Sequence, residues 1–121
     1  MRIKPGKILK WLYPDVVWSI DDKEGIYLTF DDGPTPGVTE WILHTLERYD
    51  AKATFFVLGK NVELYPDLYQ MILDKGHKIG NHTYSHQKGL TMSTERYIED
   101  VDLAGDMLHT ELFRPPYARC T

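Results

Sequence analysis

The sequence predicts an α/β fold, in which the parallel strands of a sheet alternate with helices that cover it. Residues 53–58, ATFFVL, form an almost continuous apolar run that Gly59 stops, which is typical of a strand covered on both faces. Segments with apolar residues at helical spacing lie between such runs. This alternation, with connections of a few residues, implies parallel strands joined by crossover helices.

Two strands and one helix are predicted in the first half. Residues 16–20 are the first strand, and residues 26–30 are the second, which stops before Gly33-Pro34 because Gly-Pro breaks regular structure. The following helix has an apolar face at helical spacing. That face consists of Val38, Trp41, Ile42, Thr45, Leu46 and Tyr49. His44 lies off the face, and we expect it to be solvated.

Two further helices are predicted after the strand at residues 53–58. Pro66 can open one of them, and Gly76 lies just past its end. Ser93 or Thr94 can cap the other. The inward positions are Leu68, Met71 and Ile72 in the first, and Ile98, Val101, Ala104 or Gly105, and Leu108 in the second.

Two short strands complete the order β, β, α, β, α, β, α, β. Residues 77–81 are a weak strand, predicted from its place in the alternation, with His77 at its start. Residues 112–114 are the last strand, which Pro115-Pro116 ends because proline cannot donate to a sheet.

Composition and charge indicate one small domain without a nucleic-acid partner. The chain has 121 residues and a net charge of −4, and no run of Lys and Arg forms a basic patch. Cys120 is the only cysteine, which excludes an internal disulfide and a cysteine-based metal site.

Residues 1–15 are interpreted as an N-terminal extension of a domain that covers residues 16–121. The extension is basic, and no apolar stretch of useful length follows it, so we expect neither a signal peptide nor a transmembrane segment. A cytoplasmic location is the resulting expectation. We expect the apolar residues of the extension to pack on the domain: Ile8, Leu9, Trp11 and Leu12.

Three groups of residues follow predicted strands, where α/β folds place their sites. They are Asp31 and Asp32 after the second strand, His82 and His86 after the fourth, and Arg114 and Tyr117 after the last. Taken alone, the aspartates are more simply a surface turn, and Arg114 could equally be a solvated strand end.

Together these residues have the composition of a hydrolytic metal site. If residues 82–86 form one turn of helix, His82 and His86 face the same way. Two imidazoles and one carboxylate make a three-ligand site with open positions, as a hydrolytic divalent metal requires. One of Asp31 and Asp32 could be the ligand, while the other acts as a general base.

The last group has two interpretations. Arg114 could hold one of the aspartates ionised and oriented. Pro115-Pro116 fixes the backbone, so the amide of Tyr117 could be aimed at a developing oxyanion. The alternative is that Tyr117 is an ordinary packing residue.

Three motifs in register resemble the polysaccharide deacetylase family, the NodB-homology group that forms carbohydrate esterase family 4. They are TFDDGP at residues 29–34, HTYSH at 82–86 and RPPY at 114–117. The resemblance extends from Trp18 to Tyr117 and includes ATFFV at residues 53–57. It implies a distorted (β/α) barrel that removes acetyl groups from N-acetylated or O-acetylated glycans, such as chitin oligomers or peptidoglycan.

The resemblance also implies a role for each site residue. Asp31 resembles the catalytic base, and Arg114 the residue that tunes it. The Tyr117 amide resembles the oxyanion donor, and Thr83 or Ser85 resembles a residue that supports the histidines. The metal ligands would be Asp32, His82 and His86, for zinc or else cobalt, nickel or manganese. The metal would polarise the acetyl carbonyl while Asp31 takes a proton from the attacking water.

The sequence departs from the family after Tyr117. The later motifs, among them a Leu-x-His that supplies the general acid, do not occur, and His109 comes too early to replace it. Ala118 stands where the family usually has glycine. We therefore expect the first half to two-thirds of the barrel, as a shortened product or fragment, whose open edge a second copy covers.

Two alternatives to an active deacetylase remain open. The first is a non-catalytic remnant that folds and binds a divalent metal without turnover. The second is another metallohydrolase, such as a phosphoesterase, which would need more positive charge near the site than Arg114 provides.

Overall fold

The computed structural model describes residues 7–12, 14–17 and 24–118. The helices in these ranges are α1 (Lys7–Leu12), α2 (Val38–Arg48), α3 (Gly59–Leu64), α4 (Pro66–Asp74) and α5 (Thr94–Leu108). The strands are β1 (Leu28–Asp31), β2 (Ala53–Val57) and β3 (Lys78–Asn81). Short 3-10 turns lie at Gly89–Thr91 and Pro116–Ala118.

The strands form one parallel sheet in the order β1-β2-β3. Asp31 at the end of β1 is in register with Phe56, and Asn81 at the end of β3 is in register with Val57. The carboxyl ends of the strands therefore lie at one edge of the sheet, where the residues that follow them meet. This arrangement confirms the predicted α/β alternation.

Two predicted strands differ from the structure. Residues 18–20 of the first lie outside the described residues, and Val16 and Val17 are exposed and in no strand. The last, at residues 112–114, is reduced to a single parallel bridge between Phe113 and Asn81. Pro115 follows almost at once and has no N–H with which to extend the pairing.

Helix α2 packs on the sheet with a different face from the predicted one. Its buried residues are Thr39, Leu43 and Leu46, whereas Val38, Trp41 and Tyr49 are more than half exposed. The helix carries two adjacent apolar stripes, and periodicity alone does not say which one faces the sheet. The second stripe lines an open apolar cavity of about 360 Å³, together with Leu28 of β1.

The core lies between the sheet and the longer helices. Its fully buried members include Leu43 of α2, Val57 of β2, Ile72 of α4 and Ala104 of α5. The predicted inward residues Leu68, Ile72, Ala104 and Leu108 are buried, whereas Ile98 is exposed. Helix α3 was not predicted as a separate helix.

No helix in the described part of the chain is long and apolar enough to cross a membrane. On α1, Trp11 and Leu12 are 79% and 54% exposed, so the expected packing of these two side chains on the domain is wrong. The side chains of Ile8 and Leu9 lie outside what the structure describes. The cytoplasmic location and the domain boundaries stay predictions.

Candidate metal centre and catalytic residues

The backbone at the end of β1 directs the two aspartates to different partners. Asp31 is the last residue of β1, and Asp32 follows with a φ of 74°, a conformation that is uncommon outside glycine. The N–H of Asp32 donates to the Phe56 carbonyl (3.1 Å), and its carbonyl accepts from the Asn61 side-chain amide (2.8 Å). The turn continues into Gly33–Pro34, whose peptide bond is cis.

Asp31 lies against Arg114, as the sequence predicted for one of the aspartates. The guanidinium Nη1 donates to Oδ1 of Asp31 (2.7 Å) and to Oγ1 of Thr29 (2.9 Å). The guanidinium also lies over the Phe56 ring, with Cζ 4.1 Å from the centroid, a cation–π arrangement. Arg114 is therefore held from two sides and fixes the orientation of the Asp31 carboxylate.

Asp32 turns towards the two histidines. Its Oδ1 lies 3.3 Å from Nε2 of His82 and 3.1 Å from Nε2 of His86. One ligand atom from each residue lies within 4.8 Å of the others. The imidazole rings meet edge to face, with centroids 5.2 Å apart. The structure thus brings together the three predicted ligands in a group that could hold a metal ion.

A hydrogen bond on the far side of His82 fixes how this ring faces Asp32. Nδ1 of His82 lies 2.6 Å from the backbone carbonyl of Arg114, which can only accept, so Nδ1 carries the proton. In the neutral ring, Nε2 then presents a lone pair to the Asp32 carboxylate. Two acceptors 3.3 Å apart are favourable only with a proton or a metal cation between them. Ligands about 2.0–2.1 Å from a tetrahedral Zn²⁺ lie roughly 3.3 Å apart, so a metal ion fits.

A loop, and not the predicted helical turn, brings the histidines together. Residues 82–88 are outside any helix, with φ of 70° at Thr83 and 58° at His86. Oγ1 of the buried Thr83 accepts from the His86 N–H (3.1 Å), and the Thr83 N–H donates to Oδ1 of Asn81 (2.8 Å). Such local hydrogen bonds let short polar side chains stabilise non-helical turns, which residue spacing does not reveal.

The ring of Tyr117 lies beside His86. The ring centroid is 5.0 Å from that of His86 and 5.2 Å from Nζ of Lys88. The side chains of Tyr117 and Lys88 border a cavity of about 400 Å³, which Leu90 and Pro116 also line. The role of the Tyr117 amide as an oxyanion donor stays a prediction.

His77 belongs to the opposite end of the sheet and has a structural role. It immediately precedes β3, is buried, and its Nδ1 accepts from the Ala53 N–H (3.3 Å). Burial, reinforced by the positive charges of Lys52 and Lys75, lowers the pKa of His77. The expected solvated position of His44 is confirmed.

Sequence reasoning missed four residues that position the site. The Asn61 side chain donates to the Asp32 carbonyl, and the Phe56 ring packs against the Arg114 guanidinium. The Thr29 hydroxyl accepts from the same guanidinium, and Asp100 accepts from the Ser85 hydroxyl in the histidine loop. Thr29 and Phe56 lie within recognised motifs, which was the only signal for them. Asp100 is one of several acidic residues on α5, and nothing in the sequence distinguishes it.

Comparison with known proteins gives matches over most of the chain. Residues 19–121 match the family described as polysaccharide deacetylase. A peptidoglycan-N-acetylglucosamine deacetylase from Bacillus cereus is 40% identical over 108 residues, which are 84% of this chain and 50% of that protein.

Solved structures extend the similarity to the fold. Peptidoglycan deacetylase PdaC from Bacillus subtilis matches with a TM-score of 0.72 at 34% identity, covering 84% of this chain and 54% of that one. A family 4 pseudoenzyme from Bacillus anthracis matches with a TM-score of 0.72 at 25% identity, covering 82% of this chain and 38% of that one. The chain thus spans about half the length, or less, of these proteins.

Proposed function

Because the chain belongs to the polysaccharide deacetylase family and has part of its (β/α) barrel, we propose that it carries the metal centre and catalytic base of a hydrolase that removes acetyl groups from N-acetylated glycans. One observation supports this most directly: Oδ1 of Asp32 lies 3.1 and 3.3 Å from the two histidine nitrogens, beside a separately held Asp31. By similarity to the Bacillus cereus relative, peptidoglycan is the proposed substrate.

The two aspartates have different jobs in this proposal. Asp32, His82 and His86 would hold a divalent ion, with zinc favoured by the nitrogen-rich ligand set. When bound, that ion supplies the positive charge that polarises the acetyl carbonyl. Asp31, oriented by Arg114 at 2.7 Å, takes a proton from the attacking water as a general base.

A second candidate is a metal-binding protein without turnover. One observation favours it: a pseudoenzyme of carbohydrate esterase family 4 has the same fold over 82% of this chain. Family membership disfavours the phosphoesterase alternative.

Acetate release tests the two candidates. The full chain is incubated with N-acetylglucosamine oligomers, peptidoglycan and acetylated xylan, with and without zinc or cobalt, and metal content is measured in parallel. We expect metal-dependent release that Asp31→Asn lowers by about 10²–10⁴-fold, while Asp67→Asn on the exposed surface of α4 has no effect. Bound metal without release supports the non-catalytic candidate.

Metal binding is tested separately from activity. We expect one divalent ion per chain in the wild type and none in the double variant His82→Ala, His86→Ala. His44→Ala, at an exposed position on α2, is the matched control. Equal metal content in the wild type and the double variant would contradict the proposed centre.

The sequence predicted a second copy at the edge left by the last strand, which stays a prediction; from a separate observation, we also propose that a second copy covers the open apolar surface beside β1. Leu28, Trp41 and Tyr49 are exposed there around the cavity of about 360 Å³. Among the described residues, β1 has only β2 as a sheet neighbour, and open edges favour pairing. Sedimentation should show a dimer whose fraction falls in Trp41→Glu; a monomer at high concentration would contradict this.

A further inference from the structure

The position of His86 needs an explanation that the sheet does not supply. His82 follows β3 directly, and its N–H donates to the Val57 carbonyl of β2 (3.0 Å), so the sheet itself fixes this ligand. His86 lies further along a loop without helical hydrogen bonds and has a φ of 58°. A non-glycine residue in this conformation costs free energy of order 1–3 kcal/mol and persists only where surrounding contacts determine it.

Asp100 of α5 makes the charged contacts to this loop. Its Oδ1 accepts from the Ser85 hydroxyl (2.7 Å), and its Oδ2 accepts from the Ser85 N–H (3.1 Å). Its backbone carbonyl accepts from the Tyr84 N–H (3.0 Å). Both oxygens of one carboxylate therefore hold the residue immediately before His86, in a fork that fixes direction as well as distance.

We propose that Asp100 is a positioning residue for the metal centre, which acts through Ser85 to place His86 against Asp32. This inference rests on the proposed function, since it concerns the same metal ligands. Helix α5 thereby sets the position of His86, the candidate ligand that no described strand of the sheet contacts directly. Outer contacts of this kind typically change metal affinity by about 10–100-fold when they are removed.

The other described hydrogen bonds of the histidine loop do not connect Ser85 to a neighbouring element. The N–H groups of Gly59 and Lys60 donate to the carbonyls of Thr83 and Tyr84 (3.1 and 3.2 Å), which anchors the first half of the loop on α3. Oγ1 of Thr83 accepts from the His86 N–H, a contact within the loop itself. Among the described contacts, only Asp100 joins Ser85 to another element, and a charged acceptor makes the stronger hydrogen bonds.

A graded series of variants tests the inference. Asp100→Ala removes both hydrogen bonds to Ser85, and Ser85→Ala removes only the one made by the hydroxyl. Asp100→Asn keeps the shape and can still accept from the N–H while its amide donates to the hydroxyl. Asp102→Asn, at an exposed position on the same helix, is the matched control. The readouts are the dissociation constant for Co²⁺, its visible absorption spectrum, and the urea stability of the metal-free chain.

We expect Asp100→Ala to weaken Co²⁺ binding by about 10–100-fold and to change the Co²⁺ spectrum, because His86 no longer completes the ligand set. Ser85→Ala should show a smaller loss, and Asp100→Asn should restore most of the affinity. Asp102→Asn should match the wild type. If Asp100→Ala fails to fold, Ser85→Ala carries the test, with Asp100→Asn as the conservative control.

Two outcomes would overturn the inference. One is wild-type Co²⁺ affinity and spectrum in both Asp100→Ala and Ser85→Ala or, where Asp100→Ala does not fold, in Ser85→Ala. The other is a loss of metal-free stability in Asp100→Ala or Ser85→Ala without any change in Co²⁺ affinity, which would make the contact structural only. A wild-type chain that binds no Co²⁺ would instead contradict the proposed function itself.

Discussion

Gly80 of β3 leaves the space that the Phe56 ring occupies beneath Arg114. A Cβ at position 80 would lie 2.4 Å from both Cδ1 and Cε1 of Phe56, where ordinary contacts begin near 3.4 Å. The ring would therefore have to move by about 1 Å. Because Cζ of Arg114 lies only 4.1 Å from the ring centroid, the guanidinium would lose its support. We expect Gly80→Ala to destabilise the chain through these two effects.

The magnitude follows from three contributions. Overpacking a close contact costs about 1–3 kcal/mol, and losing a partly exposed cation–π contact costs about 0.5–1 kcal/mol. Alanine also restricts the unfolded chain, which returns about 0.4–1 kcal/mol. The expected decrease in the free energy of unfolding is therefore about 1–3 kcal/mol, measured by urea denaturation of the full chain.

Gly105→Ala is the matched control, with the opposite sign expected. Gly105 lies inside α5, and a Cβ there would be 3.6 Å from its nearest neighbour, Nδ2 of Asn81, an ordinary contact. Alanine should stabilise the helix by about 0.5–1 kcal/mol. Phe56→Leu should lower the free energy of unfolding less in the Gly80→Ala background than in the wild type, because the smaller side chain relieves the close contact with the alanine Cβ. Wild-type stability in Gly80→Ala, or equal costs of Phe56→Leu in both backgrounds, would refute this explanation.

Three further predictions follow from burial and from the contacts of the site. Since burial lowers the pKa of His77, the unfolded chain binds the proton first, and stability should fall as the pH drops below about 6.5. Urea unfolding of the metal-free chain between pH 5 and 7.5 should show a shallower pH dependence in His77→Gln than in the wild type or His44→Gln; an unchanged slope would contradict it. Leu43→Ala should lower the free energy of unfolding by about 2–5 kcal/mol, and Trp41→Ala, at a concentration where the chain is monomeric, by less than about 1 kcal/mol; the reverse order would mean that the predicted face of α2 is the packed one. Arg114→Lys should lower acetate release by up to about 10²-fold, because lysine cannot keep the same planar contacts. The Co²⁺ affinity of this variant should stay near that of the wild type. A parallel loss of acetate release and Co²⁺ affinity would contradict separate roles for the Arg114 side chain and backbone carbonyl.

The elements and the grouping of the candidate site residues could be predicted because they leave local signals, whereas the choice of Asp32 as the candidate ligand came only from the family resemblance. Strand β2 was predicted from the apolar run at residues 53–58. The start of α4 was predicted from Pro66, and the start of α5 from Ser93 or Thr94. Chemistry-bearing residues after successive strands predicted which side chains meet, since parallel strands end at one edge.

The remaining features depend on contacts between distant residues. The inward face of α2 is decided by the sheet it meets, so Leu43 was missed and Trp41 was wrongly placed inside. The histidine loop is held by Asp100, 14 residues beyond His86 in the sequence, and spacing alone suggested a helical turn. Such supports become visible only when the packing of α5 is known.

Arg114 serves the site with two chemically independent parts. Its backbone carbonyl orients His82, while its side chain orients Asp31. Any amino acid at this position supplies a carbonyl, whereas few supply a planar cation. Under the proposed function, we therefore expect substitutions at this one codon to weaken proton transfer by Asp31 without removing the metal ligands. Under relaxed selection, such a change would be a single-step path from an enzyme to a metal-binding protein with an intact fold.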